Sequence, residues 1–124
     1  MVLVDTDVLI DALNGKDGAI SLIKKIGFVN TILSSITLME VYQGAINKSQ
    51  LIKLKKNLSY YDILHLDFSI SQKAIELISE FKLSHGLSMP DALIAASAIT
   101  HNIPLCTYNI QDFKFIKELI LFNT

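Results

Sequence analysis

Four carboxylates and one amide in this 124-residue chain are spaced as a set that can do chemistry: Asp5, Glu40, Asp91 and Asp112, with Asn109 just ahead of the last. Acidic side chains gathered in one place repel one another unless a cation sits between them. Oxygen donors without a His or Cys set favour magnesium or manganese over zinc. Such ions lower the pKa of a bound water and steady the leaving oxygen of a phosphodiester, so the chemistry open to this set is metal-assisted hydrolysis of a phosphate ester. Each acid also has a purely structural role open to it. Asp5 can cap a helix, and Glu40 can close a capping box with Thr37. Asp91 suits a helix N-terminus through the macrodipole, and Asp112 suits a turn. No single position is specific, and the four together carry the chemical reading.

The elements that must position them follow from hydrophobic periodicity. Val2-Leu3-Val4 reads as a buried strand ending at Asp5. Val8, Leu9, Ile10 and Leu13 have helical spacing, stopped by Asn14-Gly15. A second helix runs from Ala19 to Ile26 and is closed by Gly27, before a strand at Thr31-Ile32-Leu33. Ser35 reads as the N-cap of a helix to about Ile46. Leu51, Leu54 and Leu58 mark another, and Ile63 to Leu66 a third strand. Ser69 opens a long amphipathic helix with Ala74, Leu77, Ile78 and Phe81 on one face and Gly86 at its end. Pro90 begins an alanine-rich helix to about His101. Pro104–Thr107 and Leu119–Phe122 read as the fourth and fifth strands. This alternation predicts an α/β fold, a parallel sheet of about five strands covered on both faces. In such a sheet a ligand site lies beyond the carboxyl ends of the strands. Asp5, Glu40, Asp91, Asn109 and Asp112 all fall at that edge.

Composition bounds the rest. The length fits one domain over residues 1–124, with hydrophobic residues at 51% and charged residues at 19%, too apolar for a disordered chain. The single cysteine, Cys106, excludes a disulfide framework and is compatible with a reducing cytoplasm. Apolar runs such as Ala92–Ile99 are too short to cross a bilayer, which takes about 20 residues. With no basic-then-apolar leader, the expectation is a soluble, cytoplasmic protein with no membrane association. Net charge is −1, every basic residue is lysine, and arginine is absent. That argues against binding nucleic acid through a broad basic face, but not against reaching a phosphate backbone through metal ions. The high apolar fraction points to a surface covered by a partner or a second copy.

Four segments resemble one family: Val-Leu-Val-Asp5-Thr6-Asp7-Val-Leu-Ile, Ser34-Ser-Ile-Thr-Leu-Met-Glu40-Val-Tyr-Gln-Gly44, Pro90-Asp91-Ala-Leu-Ile-Ala and Thr107-Tyr-Asn109-Ile-Gln-Asp112-Phe113. They are similar, in order and over nearly the whole chain, to the PIN domain, and within it to VapC-type toxins of toxin–antitoxin pairs. The resemblance implies a three-layer α/β/α sandwich and a magnesium- or manganese-dependent endoribonuclease cutting tRNA, rRNA or mRNA. It places Asp5, Glu40 and Asp91 as the central catalytic, metal-binding acids and Asn109 and Asp112 at the fourth metal position. It also implies a homodimer and a cognate VapB-like antitoxin. Many relatives have Asn where this chain has Asp7, which reads best as a cap of the first helix and otherwise as a supporting or weak second-metal ligand.

Thr6, Ser35 and Thr107 carry hydroxyls that could orient a water or a phosphate oxygen, although local caps and turns are their commoner roles. Lys48, Lys53, Lys55 and Lys56 read first as a solvated face. His65, His85 and His101 have no zinc-site spacing. Tyr42, Tyr60 and Tyr61 suit an interface better than base stacking. Two other readings stand beside the nuclease. Asp5-Thr-Asp7-Val echoes haloacid-dehalogenase-like phosphatases with Asp5 as nucleophile, but no paired-Asp motif follows. A non-catalytic module with an acidic pocket is the other.

Overall fold

Strand β1 (Val2–Val4) shows how the core divides. Its side chains alternate across the pleat, Leu3 entering one apolar cluster and Val2 and Val4 the other. The neighbouring strands do the same. Ile32 and Leu105 side with Leu3, whereas Leu33 and Cys106 side with Val4. In this computed structural model, which describes residues 1–123, the strands β2 (Thr31–Ser34), β3 (Asp62–Leu64) and β4 (Leu105–Cys106) join β1 in the order β3-β2-β1-β4, every pair parallel. Helices α1 (Thr6–Leu13), α2 (Asp17–Ile26), α3 (Ser35–Gln43) and α4 (Lys48–Leu58) bury their apolar faces in the Val4 cluster. Helices α5 (Phe68–His85) and α6 (Met89–Thr100) cover the Leu3 side. Ala92, Ala95, Ala96 and Ala98 are buried. Their small side chains let α6 lie close to its neighbours. The result is the three-layer arrangement of helices, sheet and helices.

The winding direction decides where a site can form. From β1 the chain adds β2 and then β3 on one side, and returns at its end to lay β4 on the other. The order therefore reverses between β1 and β4, and a crevice opens beyond the carboxyl ends of those two strands.

Several expected boundaries move. Leu119–Phe122 is not a fifth strand and makes one parallel bridge, Leu121 to Leu105. β4 has only two residues, so the Leu105 N–H (to Ile120 O, 2.8 Å) and Leu105 C=O (from Phe122 N–H, 2.8 Å) leave nothing more to pair. The cap of α3 is Ser34, whose Oγ accepts from Ile36 N–H at 3.1 Å, and Ser35 is the first helical residue. That helix ends before Gly44, whose N–H turns back to the Glu40 and Val41 carbonyls, so it never reaches Ile46. Asp67, not Ser69, caps α5 by accepting from Ile70 N–H at 2.8 Å. Gly86 closes α5 in the left-handed region at φ 67°, where a side chain would be strained. No helix of the described residues is long and apolar enough to cross a membrane.

Candidate active site

Asp5 leaves β1 and enters the crevice directly. Its own N–H bonds to the Cys106 carbonyl at 2.9 Å, which ties it to β4. One carboxylate oxygen accepts from Thr6 N–H at 2.8 Å and makes Asp5 the N-cap of α1; the other accepts from the Thr107 hydroxyl at 2.7 Å. The residue is 5% exposed. Burial, the largest influence, pushes its carboxyl up to about 6, and the negative charges of Asp7 and Asp91 push the same way against the two hydrogen bonds. Both oxygens are thus engaged by donors of the chain itself.

Asp7 does not cap α1, because Asp5 already holds that position. Its Oδ1 accepts from Val8 N–H at 2.7 Å and its Oδ2 from Tyr108 N–H at 3.1 Å, joining α1 to the loop after β4. Burial raises its pKa.

Glu40 does not close a capping box. Ser34 holds the cap three residues before Thr37, and Thr37 lies fully buried inside the first turn of α3. Glu40 reaches across to α1 instead, where its Oε1 accepts from the Thr6 hydroxyl at 2.7 Å. Thr37 Oγ1 lies 3.0 Å from the same hydroxyl. Thr6 thus joins two helices at the crevice.

Asp91 sits in the first turn of α6, where its N–H donates to the N-cap Ser88 Oγ at 3.3 Å. Burial raises its pKa most. Asp112 adds to this, then Glu40 and Asp7, while Ser88 opposes it. Asp112 lies exposed in the short 3-10 turn Ile110–Asp112. Asn109 is held by its backbone, its N–H donating to Thr107 Oγ1 at 3.0 Å. Ser35 is half-buried at the start of α3, and the cap bond belongs to its neighbour. The histidines stand apart. His85 stacks on Phe115 with centroids 4.0 Å apart, and His101 lies 3.2 Å from Asp67.

Asp5, Asp7, Glu40, Asp91 and Asp112 therefore share one electrostatic neighbourhood: Asp5 feels Asp7 and Asp91, and Asp91 feels Asp112, Glu40 and Asp7. Sequence reasoning missed Ser88 and gave Thr37 the role of a capping-box partner instead of its place beside Thr6. Ser88-Met-Pro-Asp91 has the spacing of a capping box, and that signal would have found Ser88. Among the described residues no three His, Cys, Asp or Glu side chains gather tightly enough to hold an ion unaided. Magnesium fits such an open set, since it takes one or two carboxylates and keeps several waters. The donor chemistry fits too, since the set offers oxygen ligands only.

Fold and site together define an α/β protein with a group of acids that feel one another's charge at the switch point of a parallel sheet. The chain belongs to the PIN-domain family, whose model matches residues 2–118. It is 36% identical over 132 residues to Ribonuclease VapC2 of Rickettsia felis, covering 98% of this chain and 96% of that relative. It is 26% identical over 124 residues to Ribonuclease VapC10 of Mycobacterium tuberculosis, covering 96% and 90%. Among solved structures, VapBC2 from Rickettsia felis bound to a DNA fragment from their promoter superposes with a TM-score of 0.83 at 29% identity, covering 100% of this chain and 99% of that one. A toxin–antitoxin complex from Klebsiella pneumoniae gives 0.82 at 31% identity, covering 97% and 96%.

Proposed function

We propose that this chain is a metal-dependent endoribonuclease, the toxin of a VapBC-type pair, working as one nuclease domain over residues 1–124. The observation that carries this is the buried Asp5 at the β1–β4 crevice, within reach of the charges of Asp7 and Asp91, in a chain matched along its length by VapC ribonucleases. Asp5 and Asp91 are the groups that would hold magnesium or manganese, with Glu40, Asp112 and Asn109 around them. When bound, such an ion supplies an acidified water and charge stabilisation at the phosphate. The protein's own part is orientation. Thr107 fixes one Asp5 oxygen, Thr6 holds Glu40, and Ser88 anchors the turn that carries Asp91. Water adds to phosphorus and the leaving P–O bond breaks. A half-buried carboxylate, Glu40 or Asp91, takes the proton the water loses, and the leaving oxygen is protonated in turn.

A VapB-like antitoxin is the expected partner. Beside Glu40 lies a cavity of about 200 Å3 lined by Ile10, Leu13, Val41 and Leu54 with Asn14 and Gln50, a seat of mixed character next to that acid. A homodimer is the second association, through the exposed Phe68, Ile75 and Met89 of α5 and α6.

The test is cleavage of a mixed tRNA and rRNA pool with magnesium, with manganese and with EDTA, beside an Asp5→Asn control. Metal-dependent fragments that vanish in the control are expected. Cuts that persist with Asp5→Asn would remove Asp5 from the chemistry.

A further inference from the structure

We propose that Tyr108, with Lys25 and the open backbone at Gly18, forms a subsite for an RNA base flanking the bond that is cut; the inference rests on the ribonuclease reading. With no arginine in the chain, aromatic faces and lysines are the side chains left to hold unpaired RNA beside any bound metal. Tyr108 is the exposed aromatic tied to the acidic site. Its N–H donates to Asp7 Oδ2 at 3.1 Å, and Thr107 before it donates to Asp5 at 2.7 Å. The root of the side chain is fixed beside the acids while 46% of the residue stays exposed. The remaining exposed aromatics lack that link: Phe28 packs on Tyr61 at 4.9 Å, Tyr60 follows α4, and Phe68 opens α5.

Tyr108 borders an open hollow of about 350 Å3 against α2, lined also by Gly18, Ser21, Leu22 and Lys25. The space beside Gly18 is open, since a Cβ built there meets nothing within 4 Å. The lining offers what a nucleotide needs: the flat face of Tyr108, apolar Leu22, the Ser21 hydroxyl for a base edge and the Lys25 ammonium for the adjoining phosphate. The charges of Asp11 and Asp7 reach the Tyr108 phenol and help raise its pKa, after burial.

The experiment uses the Asp5→Asn chain, which should bind without cutting, and fluorescent single-stranded oligo(A), oligo(U) and oligo(C) read by anisotropy. Tyr108→Ala keeps the backbone N–H to Asp7 and is expected to weaken binding about five-fold or more, while Tyr108→Phe stays within about two-fold. Gly18→Leu fills the hollow and should reproduce the loss, with all melting temperatures unchanged. In the Asp5-intact chain, Tyr108→Ala should raise KM for cleaved RNA and leave kcat nearly constant. Oligomers held equally well by Tyr108→Ala would overturn the subsite and leave the ribonuclease reading standing. A parent chain that binds none of them also overturns the subsite, and the cleavage test then decides the ribonuclease reading separately.

Discussion

Asp5 couples the candidate chemistry to stability. Its carboxyl titrates at about 6 in the folded chain against 3.8 ordinarily. Because the folded value is the higher, folding takes up a proton between the two. The stability this group contributes is full below about 3.8 and is lost as pH rises through about 6. Asp7 and Asp91 are raised as well and act with the same sign. The metal-free protein is therefore expected to melt at a higher temperature at pH 5 than at pH 7.5. Asp5→Asn should lessen that dependence, leaving the share of Asp7 and Asp91, and raise metal-free stability at pH 7.5 by up to about 3 kcal/mol, since each pKa unit is worth about 1.4 kcal/mol. Melting curves over pH 4–8 in EDTA would show it, and a wild-type curve without slope would remove the burial argument for Asp5. Manganese at a hundred times its dissociation constant should stabilise the parent by about 2.7 kcal/mol at pH 7.5, offsetting most of the metal-free advantage of Asp5→Asn, and leave Asp91→Asn unmoved.

At the level of elements, the strands and helices that carry the acids were legible from periodicity, because their apolar positions face one core or the other. What escaped was the failure of Leu119–Phe122 to form a strand, element ends by one to three residues, and contacts made a helix apart. In Ser34-Ser35 either serine fits a cap, and only backbone geometry selects Ser34. Asp5-Thr-Asp7 poses the same ambiguity, resolved toward Asp5. The Thr37-x-x-Glu40 pattern matched a capping box, yet Glu40 bonds to Thr6, 34 positions away in sequence. No local pattern reports such a contact. The convergence of Asp5, Glu40, Asp91 and Asp112 could be suspected from the sheet rule, whereas the part taken by Asp7 needed the Tyr108 bond to be visible. These assignments can be checked. Ser34→Ala should cost about 1 kcal/mol while Ser35→Ala stays near neutral in the same unfolding titration. Thr6→Val should leave the fold intact and lower kcat, with Thr6→Ser restoring it, because only the hydroxyl holds Glu40.

For the whole molecule, the expectation of association follows from what the two cores leave uncovered. Phe68 is 76% exposed, Ile75 68% and Met89 71%, all on the α5–α6 side. A cavity of about 290 Å3 between those helices is lined by Ala74, Ile75, Ile78, Met89 and Leu93. Sedimentation should show a dimer that Ile75→Lys converts to monomer without loss of helix signal. A monomeric parent would leave that face to some other partner.

The pairing of β1 with β4 has one more effect, in the order of synthesis. Thr107 holds Asp5 across 102 positions of sequence, so the first strand made waits for the last. A nascent or truncated chain that stops short of β4 has Asp5 without its neighbour, Asp7 without the Tyr108 N–H, and no closed crevice. A cell translating this gene would meet the acids in their joined arrangement only after β4 and Thr107 had left the ribosome.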